Sequence, residues 1–232
     1  MNHNIIWYRN DLRTLDHSGI YHAQKNGQPT FAVFYLCLAQ WKSHHLSQRK
    51  IDYMIARLQG LQQELALLNI TLFVFEVDTY LDSVLHLSKL IKKTEANHLY
   101  LNNDYELDEI KRDKALIKIA PSTCQLHQFD DNVFTHPENI KTGQDTAFKV
   151  FSAFKNKITP HIRELPGCLA KPKAFKSNAA LTFKGAIDLS KKYHTPIFEK
   201  DAINQLRKFC KDQAQNYLAQ RDLPSVKGTS SL

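Results

Sequence analysis

Ile5-Ile6-Trp7-Tyr8-Arg9-Asn10-Asp11-Leu12-Arg13 is the stretch on which the fold turns. An apolar run passes directly into a turn dense with charge. The run reads as a buried central strand, so Arg9, Asp11 and Arg13 stand where that strand leaves its sheet. In open α/β sheets the crevice beyond the strand carboxyl ends is where ligands bind. The plainer reading is that Asp11 and an arginine form an ion pair that fixes the turn. Local sequence leaves both open.

Outward from this strand, the pattern repeats. Phe31-Ala32-Val33-Phe34-Tyr35-Leu36-Cys37 has the length and content of a second buried strand. Ser47 is a good N-cap. After it Ile51, Met54, Ile55, Leu58, Leu61, Leu65 and Leu68 recur at helical spacing, and Asn69 marks the end. Ile70 to Phe75 is a third strand. A helix from about Tyr80 to Lys93 follows, with Leu81, Val84, Leu85, Leu87, Leu90 and Ile91 apolar. His98 to Leu101 is a fourth strand, Leu107 to Ile119 a charged helix, and Gln125 to Phe129 a fifth strand. Strands alternating with helices of this length require right-handed crossovers and a parallel sheet. Residues 1–132 are therefore expected to form a doubly wound, Rossmann-like α/β domain with five parallel strands. No GxGxxG opens the first helix, which disfavours a conventional dinucleotide or P-loop site.

The composition is that of an ordinary globular chain of 232 residues, 43% hydrophobic and 23% charged. No apolar run approaches the roughly 18 residues of a membrane span, and no secretory leader is visible. Cys37, Cys124, Cys168 and Cys210 are widely spaced, which points to a reducing, cytoplasmic setting. The net charge of +8 is lopsided: residues 1–132 hold 14 basic against 15 acidic residues, and residues 133–232 hold 17 against 8. A basic segment beside a neutral domain suits a polyanion such as nucleic acid, or is a solvated lysine-rich linker. Five prolines punctuate residues 133–198, and only Phe148 to Ile162 shows sustained periodicity, so this reads as a long connecting segment. Ala202, Leu206, Phe209, Cys210, Tyr217 and Leu218 then form an apolar stripe on a helix from about Lys200 to Arg221, stopped by Pro224. That face needs a cover: the first domain, a second chain through self-association, or a further domain.

Four constellations carry potential chemistry. The first is Arg9, Asp11 and Arg13. The second is Asp104, Glu106, Asp108 and Glu109, beyond the fourth strand. Carboxylates there can accept from the ring N–H groups of a heterocycle, or simply complement a helix N-terminus. The third, His44-His45 beside Trp41, lacks further ligands at metal spacing and suits a surface loop or a ring contact. The fourth, Gly228-Thr229-Ser230-Ser231, is a phosphate cradle or a frayed tail. No GxSxG, HExxH or CxxC is present.

Several stretches together resemble the DNA photolyase/cryptochrome family, most closely its bacterial class I members that repair cyclobutane pyrimidine dimers and use a folate antenna. They are Trp7-Tyr8-Arg9-Asn10-Asp11-Leu12-Arg13 with Asp16, Asn102-Asn103-Asp104-Tyr105-Glu106, Phe148 to Lys155, and Tyr217 to Pro224 running on into Gly228-Thr229-Ser230. The likeness runs through the whole chain in order. It implies an antenna domain over residues 1–132, an interdomain linker over 133–198, and the start of a helical FAD-binding domain over 199–232. It further implies light-driven repair of DNA carrying pyrimidine dimers, with electron donation from reduced FAD and a 5,10-methenyltetrahydrofolate antenna at the domain junction.

Carried over residue by residue, the resemblance assigns folate contacts to Asp108, Glu109 and His44. The family pattern has asparagine at position 108; aspartate accepts hydrogen bonds but cannot donate them when ionised. Flavin contacts fall on Tyr217, Thr229, Ser230 and Leu232, with Ser231 in place of the family's arginine. Arg9, Asp11 and Arg13 become residues that fix the turn and border the domain junction. The expectation is a truncated photolyase that alone binds FAD weakly or not at all and repairs no DNA. The alternative is a stand-alone, non-enzymatic α/β module that holds a folate, a nucleotide-like chromophore or a partner protein.

Overall fold

The computed structural model describes residues 3–163, 167–176, 181–191, 195–226 and 228–230. Its centre is a five-stranded sheet of β1 (His3–Trp7), β2 (Thr30–Cys37), β3 (Thr71–Val77), β4 (Ala96–Asn102) and β5 (Gln125–Phe129). The order is β3-β2-β1-β4-β5, and every neighbouring pair is parallel. β1 and β2 are buried almost without interruption, because helices cover both faces. The chain winds from β1 outward to β3, then crosses back to β4 on the other side of β1. The topological switch point therefore lies between the carboxyl ends of β1 and β4, where the turn at Arg9–Arg13 begins.

The long helices follow the expected periodicity. α1 (Ser18–Asn26), α2 (Leu38–Ser43), α3 (Gln48–Ala66), α4 (Tyr80–Thr94) and α5 (Leu107–Ile119) are the connections of the sheet. Ser47 caps α3 by accepting from Lys50 N–H, and Asn69 takes the left-handed conformation (φ 58°) after the helix ends. α1 and α2 lie where no helix was expected. α1 buries only Gly19, Ile20 and Ala23, and its N-cap is His17, whose ring Nδ1 accepts from Ile20 N–H. α2 is six residues long and buries Trp41 alone. Neither leaves a periodic stripe. Leu81 and Leu85 of α4, read as part of an apolar face, are exposed; Val84, Leu87, Leu90 and Ile91 make the contact with the sheet.

The long connection is a packed strap. Phe175 N–H donates to Leu68 O at 2.9 Å, and Asn69 Nδ2 donates to Phe175 O at 2.9 Å. Phe183 packs its ring 4.6 Å from Phe73 and 5.6 Å from Phe31. Ala186 bridges Phe75 in antiparallel fashion, and Ile187 N–H donates to Val74 O. The strap thus pairs the outer edge of β3, which would otherwise present free backbone groups. It next crosses α3 at Gly60, where a Cβ would stand 1.9 Å from Ile197 O, so no larger residue lets the chain pass. α6 (Phe151–Arg163) is the helix expected within the connection.

The last helix corrects the expectation of one continuous span. α7 (Glu199–Asp212) stops at Gln213, and after a single tight turn α8 (Tyr217–Gln220) resumes. The polar run Lys211-Asp212-Gln213 offers no apolar group to bury, and α7 buries no residue at all. No helix among the described residues is long and apolar enough to cross a membrane.

Candidate functional site

The crevice at the switch point is walled by charge that the fold has buried. Arg9 is 7% exposed; its Nη1 donates to Asp113 Oδ1 at 3.2 Å, and its Nε lies 3.6 Å from Asp104 Oδ2. Arg112, on the next turn of α5, donates from Nη2 to Asp104 and from Nε to Asp113, both at 2.9 Å. The two guanidiniums approach the Trp7 ring, at 4.8 and 5.1 Å from its centroid. Burial opposes the charge on Arg112, but Asp113 and Asp104 outweigh it and hold the group protonated. Burial and the neighbouring Arg112 pull the Arg9 value down against its acidic partners.

Asp11 forms a second centre. Its carboxylate accepts from Arg9 N–H at 2.9 Å, His17 Nε2 at 2.9 Å and Asn102 Nδ2 at 2.6 Å. The partner is thus a histidine and not, as the plainer sequence reading had it, an arginine side chain. Because His17 Nδ1 accepts the Ile20 N–H, the ring proton sits on Nε2 and points at Asp11. Burial works to raise the Asp11 carboxyl. The hydrogen bonds from His17 and the Arg9 backbone, with the Arg9 charge, overcome it and hold Asp11 well below the usual carboxylate range. Arg13 faces outward: its guanidinium donates to Asp16 O at 3.2 Å and Asp131 O at 3.1 Å.

On the β2 side of the Arg9–Arg112 network lies a cavity of about 240 Å³ lined by Trp7, Arg9, Trp41, Tyr80, Glu109 and Arg112, among others. Its mouth is where the ends of α2, α4 and α5 meet. His44 and Glu109 line it. His44 Nε2 lies 3.4 Å from Asp108 Oδ2, so the loop after α2 meets the adjacent pair Asp108 and Glu109 at the start of α5. Asp108 is also paired with Lys111 at 2.8 Å; that hydrogen bond and charge hold its carboxyl below the usual value. Glu109 Oε1 accepts from the Tyr80 hydroxyl at 2.8 Å. Three buried donors of the network, Trp7 Nε1 and the Nε and Nη2 of Arg9, have no hydrogen-bond partner among the described residues and almost no accessible surface, so they belong to the packed interior and not to the cavity face. Among the described residues no group of three or more His, Cys, Asp or Glu could hold a metal ion.

The candidate flavin residues lie elsewhere. Tyr217 is half-exposed, with its ring edge-on to Phe209 at 6.1 Å. Ser230 O accepts from Gln205 Nε2 at 2.6 Å, so the tail turns back onto α7. Gly228 permits this turn: a Cβ there would stand 2.6 Å from Gln220 O. Thr229 is exposed. Leu232 lies outside the described residues. The N-terminus of α7 is tied to the opening turn, since Glu199 accepts from Thr14 N–H at 2.8 Å and from Thr14 Oγ1 at 2.9 Å.

Arg112, Asp113, Trp7 and Tyr80 were not singled out from sequence. One signal was present. Arg112 and Asp113 precede Leu116 by four and three residues, so they fall on the buried stripe of α5, where charge implies an internal partner.

An all-parallel sheet with a polar crevice at its switch point defines a doubly wound α/β domain of the ligand-binding kind. The chain belongs to the DNA photolyase family, whose sequence profile matches residues 4–173. It is 35% identical over its whole length to the deoxyribodipyrimidine photo-lyase of Escherichia coli K12, and 32% identical over 98% of its length to that of Salmonella typhimurium LT2. The chain spans about half the length of these relatives, 50% of each. The fold is shared with a bacterial class III photolyase from Agrobacterium tumefaciens (TM-score 0.79, 21% identity, covering 100% of this chain and 49% of that one). It is also shared with an archaeal photolyase from Sulfolobus tokodaii, described with two FAD molecules and the implication of a novel light-harvesting cofactor (TM-score 0.72, 18% identity, covering 99% and 50%).

Proposed function

We propose that this chain carries the light-harvesting part of a deoxyribodipyrimidine photolyase, which repairs cyclobutane pyrimidine dimers in DNA by light-driven, FAD-dependent chemistry. The observation that carries the reading is the cavity at the carboxyl ends of β1 and β2, with the Trp7 and Trp41 side chains and the Glu109 acceptor on its lining. Such a wall fits a planar heterocycle that carries a ring N–H on its edge. A folate such as 5,10-methenyltetrahydrofolate has these groups, and so does a flavin. Bound there, the ring would supply light absorption. The chain's own residues orient it: Glu109 accepts its N–H, while the Trp7 and Trp41 side chains wall the cavity around it. Asp108 and His44 pair at the mouth, where a charged tail of the ligand passes.

In this reading residues 1–132 are the antenna domain, 133–198 the linker, and 199–232 the start of a helical flavin domain with Tyr217, Thr229, Ser230 and Leu232 as flavin contacts. The lysine-rich second part supports a DNA partner, and four free cysteines fit a reducing cytoplasm. The open face of α7 makes flavin retention by the isolated chain weak, because a buried cofactor needs a site that encloses it.

The test is titration of the purified chain with 5,10-methenyltetrahydrofolate, riboflavin and FAD in turn, read by quenching of the two tryptophans, Trp7 and Trp41, both of which line the cavity. One ring ligand is expected to saturate at one per chain, with FAD bound weakly and no light-dependent dimer repair. Failure of every ring ligand to saturate refutes the antenna reading.

A further inference from the structure

Resting on the crevice reading above, we propose that Tyr80 is the positioning residue of the site, presenting the Glu109 carboxylate to the N–H edge of a pyrimidine-type ring. Tyr80 is the first residue of α4 and is fixed from several sides. Its backbone N–H donates to Gln40 Oε1 at 2.9 Å. Its ring meets His44 edge-on at 6.2 Å, and the Arg112 guanidinium lies 5.4 Å from the ring centroid. Its hydroxyl gives its proton to Glu109 Oε1 at 2.8 Å.

The direction of that bond is settled by the chemistry of the two groups. Burial, then the hydrogen bond and charge of Glu109, push the Tyr80 phenol well above its usual value. The phenol therefore stays a donor at every working pH.

Glu109 sits on the first turn of α5 at the cavity mouth, where a free side chain samples several rotamers. Tyr80 holds one oxygen. No hydrogen bond reaches Glu109 Oε2 among the described residues, so that atom remains for a ligand donor. Fixing an acceptor beforehand spares the ligand the entropy of ordering it. The ring edge so recognised carries a pyrimidine N3–H, which folates and flavins share; the two are separated by titrating each alone.

The experiment compares Tyr80→Phe, Glu109→Gln and the double variant in the 232-residue chain. The ligands are 5,10-methenyltetrahydrofolate, riboflavin and N3-methylriboflavin, which lacks the ring N–H. For whichever N–H ligand binds, Tyr80→Phe is expected to weaken binding about fivefold. Glu109→Gln should weaken it about tenfold or more, and the double variant no further than Glu109→Gln alone. N3-methylriboflavin should bind all four proteins alike. Equal losses on the methylated ligand would reduce Tyr80 to a packing residue and overturn the proposal. An effect of Glu109→Gln without one of Tyr80→Phe also overturns it, while leaving the crevice reading intact. Failure of wild-type protein to bind any of the three ligands overturns both.

Discussion

The turn after β1 and the helix α7 are both dense in charge, yet they meet opposite fates. Arg9 and Asp11 are buried to 7% and 2% exposure, and Asp104, Arg112 and Asp113 close around them. α7 carries Glu199, Lys200, Asp201, Arg207, Lys208, Lys211 and Asp212 and buries nothing. The difference lies in what the neighbouring elements offer. At the crevice, β4 and α5 bring carboxylates and an amide to each cation and each anion. Around α7, the carboxylate held by hydrogen bonds across the chain is Glu199, which accepts from Thr14 and Leu15 of that same turn. Charge density in a sequence therefore says little by itself. What matters is whether the topology delivers partners, because a buried unpaired charge costs more than a lone domain's stability allows.

The sharpest way to break this comparison is to remove one member of the buried network. Asp11→Ala leaves the His17 N–H, the Asn102 amide and the Arg9 N–H without their acceptor. Breaking a buried pair by removing one partner costs about 3–5 kcal/mol, so the urea midpoint should fall by a corresponding amount. A loss below about 1 kcal/mol would mean that water reaches the site and the burial argument fails. The pH dependence has a definite sign. Asp11 has a depressed folded value, so between that value and the unfolded one the unfolded chain binds more protons. Its stabilisation is full above the unfolded carboxyl value of about 3.9 and is lost as pH falls through the folded value. The gap between wild type and Asp11→Ala should therefore persist at neutral pH and close only in strong acid.

The second test lies on the strap that joins the two regions. Gly→Ala in an ordinary helix interior stabilises by up to about 1 kcal/mol. At Gly60 the added Cβ would stand 1.9 Å from Ile197 O. The strap must move, at an overpacking cost of about 1–3 kcal/mol. Gly60→Ala should therefore destabilise, reversing the usual sign. Amide exchange should show the loosening first at Ile197, whose N–H donates to Ala56 O, and at Glu199, whose N–H donates to Glu64. An unchanged or raised midpoint would show that the strap is not seated on α3.

The same contrast explains what could be read from sequence. Strands β1 to β4 were legible because each holds an apolar run between polar turns, and α3 to α5 because their stripes are long; β5, with Leu126 and Phe129 alone apolar, followed from its place after α5. α1 and α2 escaped because Ile20, Ala23 and Trp41 are too few to make a period. The strap escaped because its anchors, Phe175, Phe183, Ala186, Ile187 and Leu189, follow no helical or strand repeat; the α3–β3 connection, the β3 edge and α3 each choose them one at a time. At the crevice, Glu109 and Arg9 were visible as charges at strand ends. The meeting of Arg112 with Trp7, or of Tyr80 with Glu109, depends on how α4 and α5 pack, and no local pattern encodes that. The break between α7 and α8 was hidden by a stripe that continues in phase on both sides of it.

The smallest expected effect on stability lies at the other end of the comparison. Leu206 is 45% exposed and Leu218 is 83% exposed. Exchanging such residues for lysine usually alters stability by no more than about 0.5 kcal/mol, so the urea midpoint of the Leu206→Lys, Leu218→Lys double variant should match wild type. Association is where the change should show. Exposed leucines on α7 and α8, with Phe209 between them in sequence, leave apolar surface that favours contact with like surface on a second copy. Sedimentation of the wild-type chain should therefore reveal concentration-dependent self-association, and the lysine variant should sediment as a monomer through charge repulsion at the same surface. A wild-type chain that stays monomeric at high concentration would mean that α7 has a cover the crevice side supplies. The contrast between a partnered turn and an unpartnered helix would then narrow to a difference in degree. If instead the variant loses stability as well as association, the leucines are partly buried in solution, and Glu199 anchors more of α7 to the turn at Thr14 than its first residue.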